Sequence, residues 1–325
     1  MRTIILRIVL FFTLFTLLSV GISELFSRYV MADSNLSRTE RQLFNFDRPM
    51  QIISIGDSHP RSALIPDLID NMFNFSSPGE DYVQTYFKLK HFLGSTNFGQ
   101  EVELVILQLD QHTFSSFRND QYNDEYYWSK YIDYLAMGAE TGKYGLYTNK
   151  WLLGHVFAYY AGREDLFNYV YRKVINRKGY KQETLTNGFL PRSDDYSKTG
   201  DPHNRAKMRT KFLYEAQDLS DKHLVEYFGR TIDLCQSLGK RLVIISYPTT
   251  GIYNDAAETH FADSGYPAKV DSLLSRFASI PYLDYRNLFF GSDTLFADSD
   301  HLNLKGANQF SRIVADTLVT LQLLE

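Results

Sequence analysis

Gly56-Asp57-Ser58-His59 stands directly after the apolar run 50–55. A serine on a tight turn at the carboxyl end of a buried strand presents its hydroxyl to solvent, and a glycine before it permits the turn. That hydroxyl is a poor nucleophile until a base takes its proton. Near the other end of the chain, Asp298-Ser299-Asp300-His301-Leu302-Asn303 offers such a base. Histidine titrates near neutrality, and a carboxylate on its second ring nitrogen fixes the tautomer. Asp298 shares a face with His301 in a helical turn, three residues apart. Asp300 is adjacent and is expected to point elsewhere. Each motif alone also reads as an ordinary polar turn. Gly-Asp-Ser is a common tripeptide, and Pro60 stands where a Gly-x-Ser-x-Gly elbow needs glycine.

Taken together, the two motifs resemble the first and last sequence blocks of the SGNH/GDSL hydrolases, specifically the membrane-anchored members that act on cell-envelope glycans and polymers. The resemblance covers roughly 51–112 and 241–321. It implies Ser58 as nucleophile, His301 as general base and Asp298 as its orienting carboxylate, with Gly56 and Asp57 completing the first block. The family's oxyanion hole takes the nucleophile's own N–H, a glycine N–H after the second strand and an asparagine side chain after the third. By resemblance, Ser58 and Gly79 fill the first two roles. The third block departs from the pattern. Asp110-Gln111-His112-Thr113 replaces Gly-x-Asn-Asp, with His112 at the asparagine position and Gln111 beside it. Either side chain could donate to an oxyanion, and one such donor is worth ~10²–10³ in rate. A satisfied loop histidine is the plainer reading of His112.

The implied activity is that of a serine esterase or O-acyltransferase, without a cofactor. Its substrate would be ester-linked acyl groups, acetyl above all, on an envelope glycan or polymer. For transfer, a membrane-bound O-acyltransferase partner would supply the acyl group. The altered third block raises one alternative, a non-catalytic glycan-binding or assembly protein on the same fold.

Positioning the two motifs requires a sheet. Near-continuous apolar runs at 50–55, 104–109 and 242–247, with weaker ones at 72–75 and 282–285, predict strands covered on both faces. Helical spacing separates them. It joins Tyr82, Val83, Tyr86, Phe87 and Leu93, then Leu224, Phe228, Ile232 and Cys235 before a stop at Gly239. A last helix with Asn303 as N-cap carries Ala307, Phe310, Val314, Leu318 and Leu321 on one stripe. The alternation predicts an α/β domain at 49–325, a doubly wound parallel sheet flanked by helices in three layers, flavodoxin-like and, by resemblance, SGNH-hydrolase-like. An aromatic-rich helical insertion is expected at about 114–221. Within it, 176–209 is polar and reads as a long loop, a length that is usually functional or disordered. Tyr122, Tyr126, Tyr127, Trp128, Tyr131 and Tyr134 suit sugar stacking, although core packing or a membrane interface is the plainer reading.

Residues 1–31 read as a targeting segment. Arg2 and Arg7 flank or precede an uncharged run at 8–22, long enough with 3–6 to cross a bilayer. One reading is an uncleaved anchor in the cytoplasmic (inner) membrane; the other is a cleaved signal peptide ending at Ser19-Val20-Gly21. Glu24-Leu25-Phe26 continues the helical pattern and favours the anchor. Both place the body in the extracytoplasmic, periplasmic space. Residues 32–48 read as a linker or membrane-proximal helix. The single cysteine, Cys235, excludes an intrachain disulfide and packs as a small hydrophobe. A net charge of -4 gives no electrostatic reason to expect nucleic acid. With 44% hydrophobic and 22% charged residues, disorder of the whole chain is excluded. No histidine or cysteine set has metal-ligand spacing; Asp298, Asp300 and His301 supply only half a site, which leaves a metal-dependent phosphoesterase as a third and weaker reading. No P-loop or dinucleotide-binding glycine motif is present, so neither metal nor cofactor is expected.

Overall fold

Five short strands form one parallel sheet: β1 Ile52–Ile55, β2 Met72–Asn74, β3 Leu104–Gln108, β4 Arg241–Ser246 and β5 Tyr282–Asp284, in the order β2-β1-β3-β4-β5. Every expected strand forms; four are trimmed by one or two residues, and the one expected at 242–247 is shifted one residue toward the N-terminus. The computed structural model describes residues 2–95, 97–117, 131–132, 157–176, 184–215, 217–262 and 264–324. In chain order the helices are α1 Arg2–Tyr29, α2 Asn35–Phe44, α3 Ser58–Ala63, α4 Tyr82–Ser95, α5 Asn97–Glu101, α6 Ala158–Ala161, α7 Arg163–Val170, α8 Pro202–Tyr214, α9 Lys222–Ser237, α10 Gly251–Phe261, α11 Tyr266–Arg276 and α12 Leu304–Thr320.

The strand order follows from burial. Side chains alternate between the two faces of a strand, and both faces of β1, β3 and β4 are apolar. Ile52, Leu104, Ile106, Val243 and Ile245 pack with Ala307, Phe310, Val314 and Leu318 of α12. The alternate set, Ile53, Val105, Leu107 and Ile244, is equally buried and points to the opposite face. There α4 and α9 meet through Tyr82 on Phe228 and Tyr86 on Tyr227. Asn303 caps α12, its side chain accepting from the N–H groups of Lys305 and Gly306, and Gly239 closes α9 at a φ of 68°. Strand order reverses between β1 and β3, the switch point outside which doubly wound sheets bind ligands.

The chain divides into two compact units, Met1–Arg38 with Asp120–Gln182, and Thr39–Asn119 with Glu183–Glu325. In the first, α1 is long and apolar enough to cross a membrane, and Ile5, Phe11, Leu17 and Leu25 stand exposed along it. Its carboxyl end packs Phe26, Val30 and Met31 on Ala158, and Gly162 has no room for a side chain against Phe26 and Met31. The second unit holds the sheet.

These units redraw the expected boundaries. Residues 183–221, expected within the insertion, belong to the α/β unit because Phe189, Tyr196, Leu213 and Tyr214 are buried there. The expected linker contains α2, whose Leu43 is buried; Phe46, just beyond it, meets Phe73 edge-on. The long loop ends early, at α8, which Asp201 caps and Pro202 opens. Of the aromatic cluster, Tyr131 is buried. Tyr122, Tyr126, Tyr127, Trp128 and Tyr134 lie outside the described residues.

Candidate active site

Gly56 leaves β1 at a φ of 150°, and a side chain there would stand 2.3 Å from Oε1 of Gln108. Only glycine lets the chain turn so close to the neighbouring strand. Asp57 then caps α3, its Oδ1 accepting the His59 N–H at 2.8 Å. Ser58 is therefore the first residue of a helix at the sheet's carboxyl edge, half-buried, with its hydroxyl at the surface of the turn. The Ser76–Gly79 turn after β2 hooks onto it, Ser77 N–H donating to the Gly56 carbonyl at 3.0 Å.

The Asp298–His301 turn is folded by its own carboxylate. Oδ1 of Asp298 accepts the N–H of Asp300 at 3.1 Å and of His301 at 2.9 Å. Thr250, after β4, holds the turn through two bonds to the Ser299 carbonyl. Gly306 packs its backbone on the Leu295 carbonyl where a Cβ would be 2.1 Å away. The His301 ring is thus fixed. Its Nδ1 lies 2.8 Å and 3.0 Å from the two Asp298 oxygens, and its Nε2 lies 2.9 Å from Oγ of Ser58. Burial raises the Asp298 carboxyl's pKa, but His301 and Arg192 outweigh that and hold it below the usual carboxylate range.

Behind this chain lies a buried polar network that joins the ends of β1 and β3. Gln108 Nε2 donates to Asp57 at 2.8 Å and to Asp110 at 2.6 Å, and its Oε1 accepts the Asp57 N–H. His59 lies between two carboxylates, Nδ1 at 2.8 Å from Asp110 and Nε2 at 3.5 Å from Asp300. Burial would lower its pKa, yet Asp110, Asp300 and Asp57 overcome the penalty and push it up to about 10. The His59 ring stands edge-on to His301 at 4.9 Å and to His112 at 4.7 Å. Asp300 also accepts from Nε of Arg209 at 2.8 Å. Its burial is outweighed by His301, Arg209 and His59, which hold its carboxyl well below the usual range.

Ser58, Asp298 and His301, the three residues picked from the motifs, come together from both ends of the unit. Gly79 stands at a φ of 73° in the turn hooked to Gly56. His112 is buried and directs Nε2 to Oδ2 of Asp57 at 2.6 Å. Gln111 is half-buried on the same turn and is bonded to none of the three among the described residues. Asp300 does turn toward His59 and Arg209, yet its Oδ1 stays 3.8 Å from Nδ1 of His301. Sequence reasoning missed His59, Gln108, Asp110, Arg192 and Arg209. Gln108 and Asp110 had a signal, since two polar residues at alternate positions close an otherwise apolar strand. Among the described residues, Asp57, His59, Asp110 and His112 bring ligand-type atoms within 4.8 Å, as do His59, Asp300 and His301. The first four are hydrogen-bonded in pairs, His59 with Asp110 and His112 with Asp57, and the Gln108 amide donates to both carboxylates. A groove of about 600 Å³ lies elsewhere, lined by Phe114, Val225, Tyr266 and Leu273 but by none of the three motif residues.

No protein-family model matches the sequence, and no curated protein matches it either. Among solved structures the chain is similar to one from Bacteroides fragilis described as a “putative acylhydrolase”, at 10% identity and a TM-score of 0.41, over 89% of this chain and 98% of that one. The site geometry, not this likeness, supports the functional reading.

Proposed function

We propose that the chain is a serine esterase or O-acyltransferase of the SGNH/GDSL type, acting on ester-linked acyl groups of a cell-envelope glycan or polymer. The observation that carries this is the chain of contacts from Asp298 through His301 to Oγ of Ser58. His301 Nε2 takes the Ser58 proton as Oγ attacks the ester carbonyl. The tetrahedral oxyanion is met by the N–H groups of Ser58 and Gly79. Of the two third-block side chains, Gln111 is better suited to help, since His112 gives Nε2 to Asp57. His301 then protonates the leaving alcohol, and the acyl-Ser58 ester is resolved by water or by a glycan hydroxyl. With α1 as an anchor in the inner membrane, the body works outside the cytoplasm, and a membrane-bound O-acyltransferase partner supplies acyl groups for transfer.

The missing Gly-x-Asn-Asp block favours one rival, a glycan-binding protein that keeps the fold without turnover. A fluorophosphonate probe separates the two. Labelling of the wild type that Ser58→Ala abolishes is expected; an unlabelled wild type would favour the binding protein. Acetate release measured against transfer, on acetylated glycans with Ser58→Ala as control, then distinguishes esterase from transferase.

A further inference from the structure

Asp298 differs from the other carboxylates of the site in being only half-buried. Its side chain is 40% accessible, against 3% for Asp300 and 4% for Asp110. Its Oδ1 is tied into its own turn by the N–H groups of Asp300 and His301, which leaves the outer oxygen, Oδ2, to be held by a partner from elsewhere. Its Oδ2 is held by NH1 of Arg192 at 3.0 Å, from 106 residues away. Arg192 belongs to no helix or strand, so its placement depends on how segment 184–198 is pinned.

That pinning is extensive. Asn187 and Gly188 take φ values of 50° and 85° in a tight turn closed by paired bonds between Thr186 and Phe189. A side chain on Gly188 would stand 1.6 Å from the Asn74 carbonyl, so the turn lies flush on the end of β2. Gln42 of α2 bonds both Leu185 and Gly188. Leu190 N–H then donates to the Arg61 carbonyl at 3.0 Å, and the Arg192 carbonyl accepts the Leu304 N–H at 2.8 Å. Arg61 lies in α3, the helix that Ser58 opens; Leu304 opens α12, directly behind the His301 turn. Tyr196 N–H donates to the Phe296 carbonyl at 2.9 Å, with the ring in the core.

We infer that segment 184–198 is a strap stitching the Ser58 helix to the His301 turn, and that Arg192 on it is the positioning residue for Asp298. The inference rests on the proposed serine-enzyme reading. Arg192 holds the carboxylate in register with Nδ1 of His301 and offsets part of its charge. The charged and titratable groups facing the pair are Asp300 on the same turn, His59 of α3 and Arg209 of α8. Arg192 stands on the exposed side, where its removal leaves that buried set in place. With Arg192 gone, Asp298 acts on His301 with its full charge. The protonated ring is favoured, and less free base is available at a given pH.

The test is the pH dependence of kcat/KM on an aryl acetate for wild type, Arg192→Met and Arg192→Lys, with fluorophosphonate labelling rates and Tm recorded for each. Arg192→Met is expected to move the midpoint of the acid limb up by roughly 0.2–0.7 pH unit. It should also lower the plateau ~10-fold through lost orientation. Arg192→Lys, which keeps a charge for this single contact, is expected to return the limb to the wild-type position. An Arg192→Met profile that superimposes on wild type, whatever its Tm, overturns the inference while leaving the serine-enzyme reading intact. A wild type that neither turns over nor labels refutes that reading, and this inference with it.

Discussion

His301 Nε2 stands 2.9 Å from Oγ of Ser58, although 243 residues separate them along the chain. The two groups belong to different turns on one sheet edge, and each turn is fixed by a carboxylate of its own, Asp57 in one and Asp298 in the other. The imidazole is therefore oriented before any substrate arrives.

Replacing Ser58 or His301 by alanine should reduce hydrolysis of an aryl acetate by at least about 10⁴-fold. Asp298→Asn should lose most of the activity but less than either, because Asp300 lies 3.8 Å from the same ring nitrogen. Asp298→Asn with Asp300→Asn should fall to the Ser58→Ala level. Full turnover by any single triad variant would contradict the assignment.

His59 makes stability depend on alkaline pH. Its pKa is raised from the ordinary 6.5 to about 10. Such a group contributes stability that is complete below its unfolded pKa and lost as pH rises through its folded one. Urea unfolding of the wild type should show a fall of a few kcal/mol between pH about 6.5 and 10. His59→Gln should be less stable at neutral pH and should lack most of that fall. Equal slopes in the two proteins would rule out the buried imidazolium.

Asp300 acts at the opposite end of the scale. Its carboxyl is held well below the usual range, so its stabilisation is present above its unfolded pKa and lost as pH falls below about 4. Arg209→Met removes one of the cations responsible. Because the Arg209 side chain is 33% exposed while Asp300 is buried, the cost should be roughly 1–3 kcal/mol. The acid-unfolding midpoint of Arg209→Met should lie above that of the wild type; an unchanged midpoint would mean the pair is electrostatically idle.

Lys88 and Glu80 form an ion pair with neither side chain exposed beyond 1%. Lys88 Nζ also donates to the Phe75 carbonyl at 2.5 Å, so α4 grips both ends of the turn that bears Gly79. Burial pushes the lysine pKa down and the glutamate pKa up, each opposed by its partner. Lys88→Met should cost about 3–5 kcal/mol by removing the cation from a buried carboxylate. Lys88→Met with Glu80→Leu should recover most of that in thermal unfolding. A double variant as unstable as the single one would place the cost elsewhere.

Local pattern fixed much of this protein. Runs such as 104–109 and 242–247 are too apolar to face water on either side, so a covered parallel sheet was legible without coordinates. So were the ends of elements, because Asn303 and Gly239 act through their own backbone neighbours. The Asp298–His301 contact was legible for the same reason, since three residues in one turn share a face. What required the tertiary structure was every partner brought in from a distance. Arg192 reaches Asp298 only because glycine geometry at 188 lays a polar segment against β2 and carries it on to α12. The His59 pKa is raised only because Asp110 and Asp300, far apart in the chain, converge on its ring. Hydrophobic periodicity encodes which side of an element faces inward. It does not encode which charged groups will meet there, because that depends on the sheet order and on loops whose course is set by single backbone contacts.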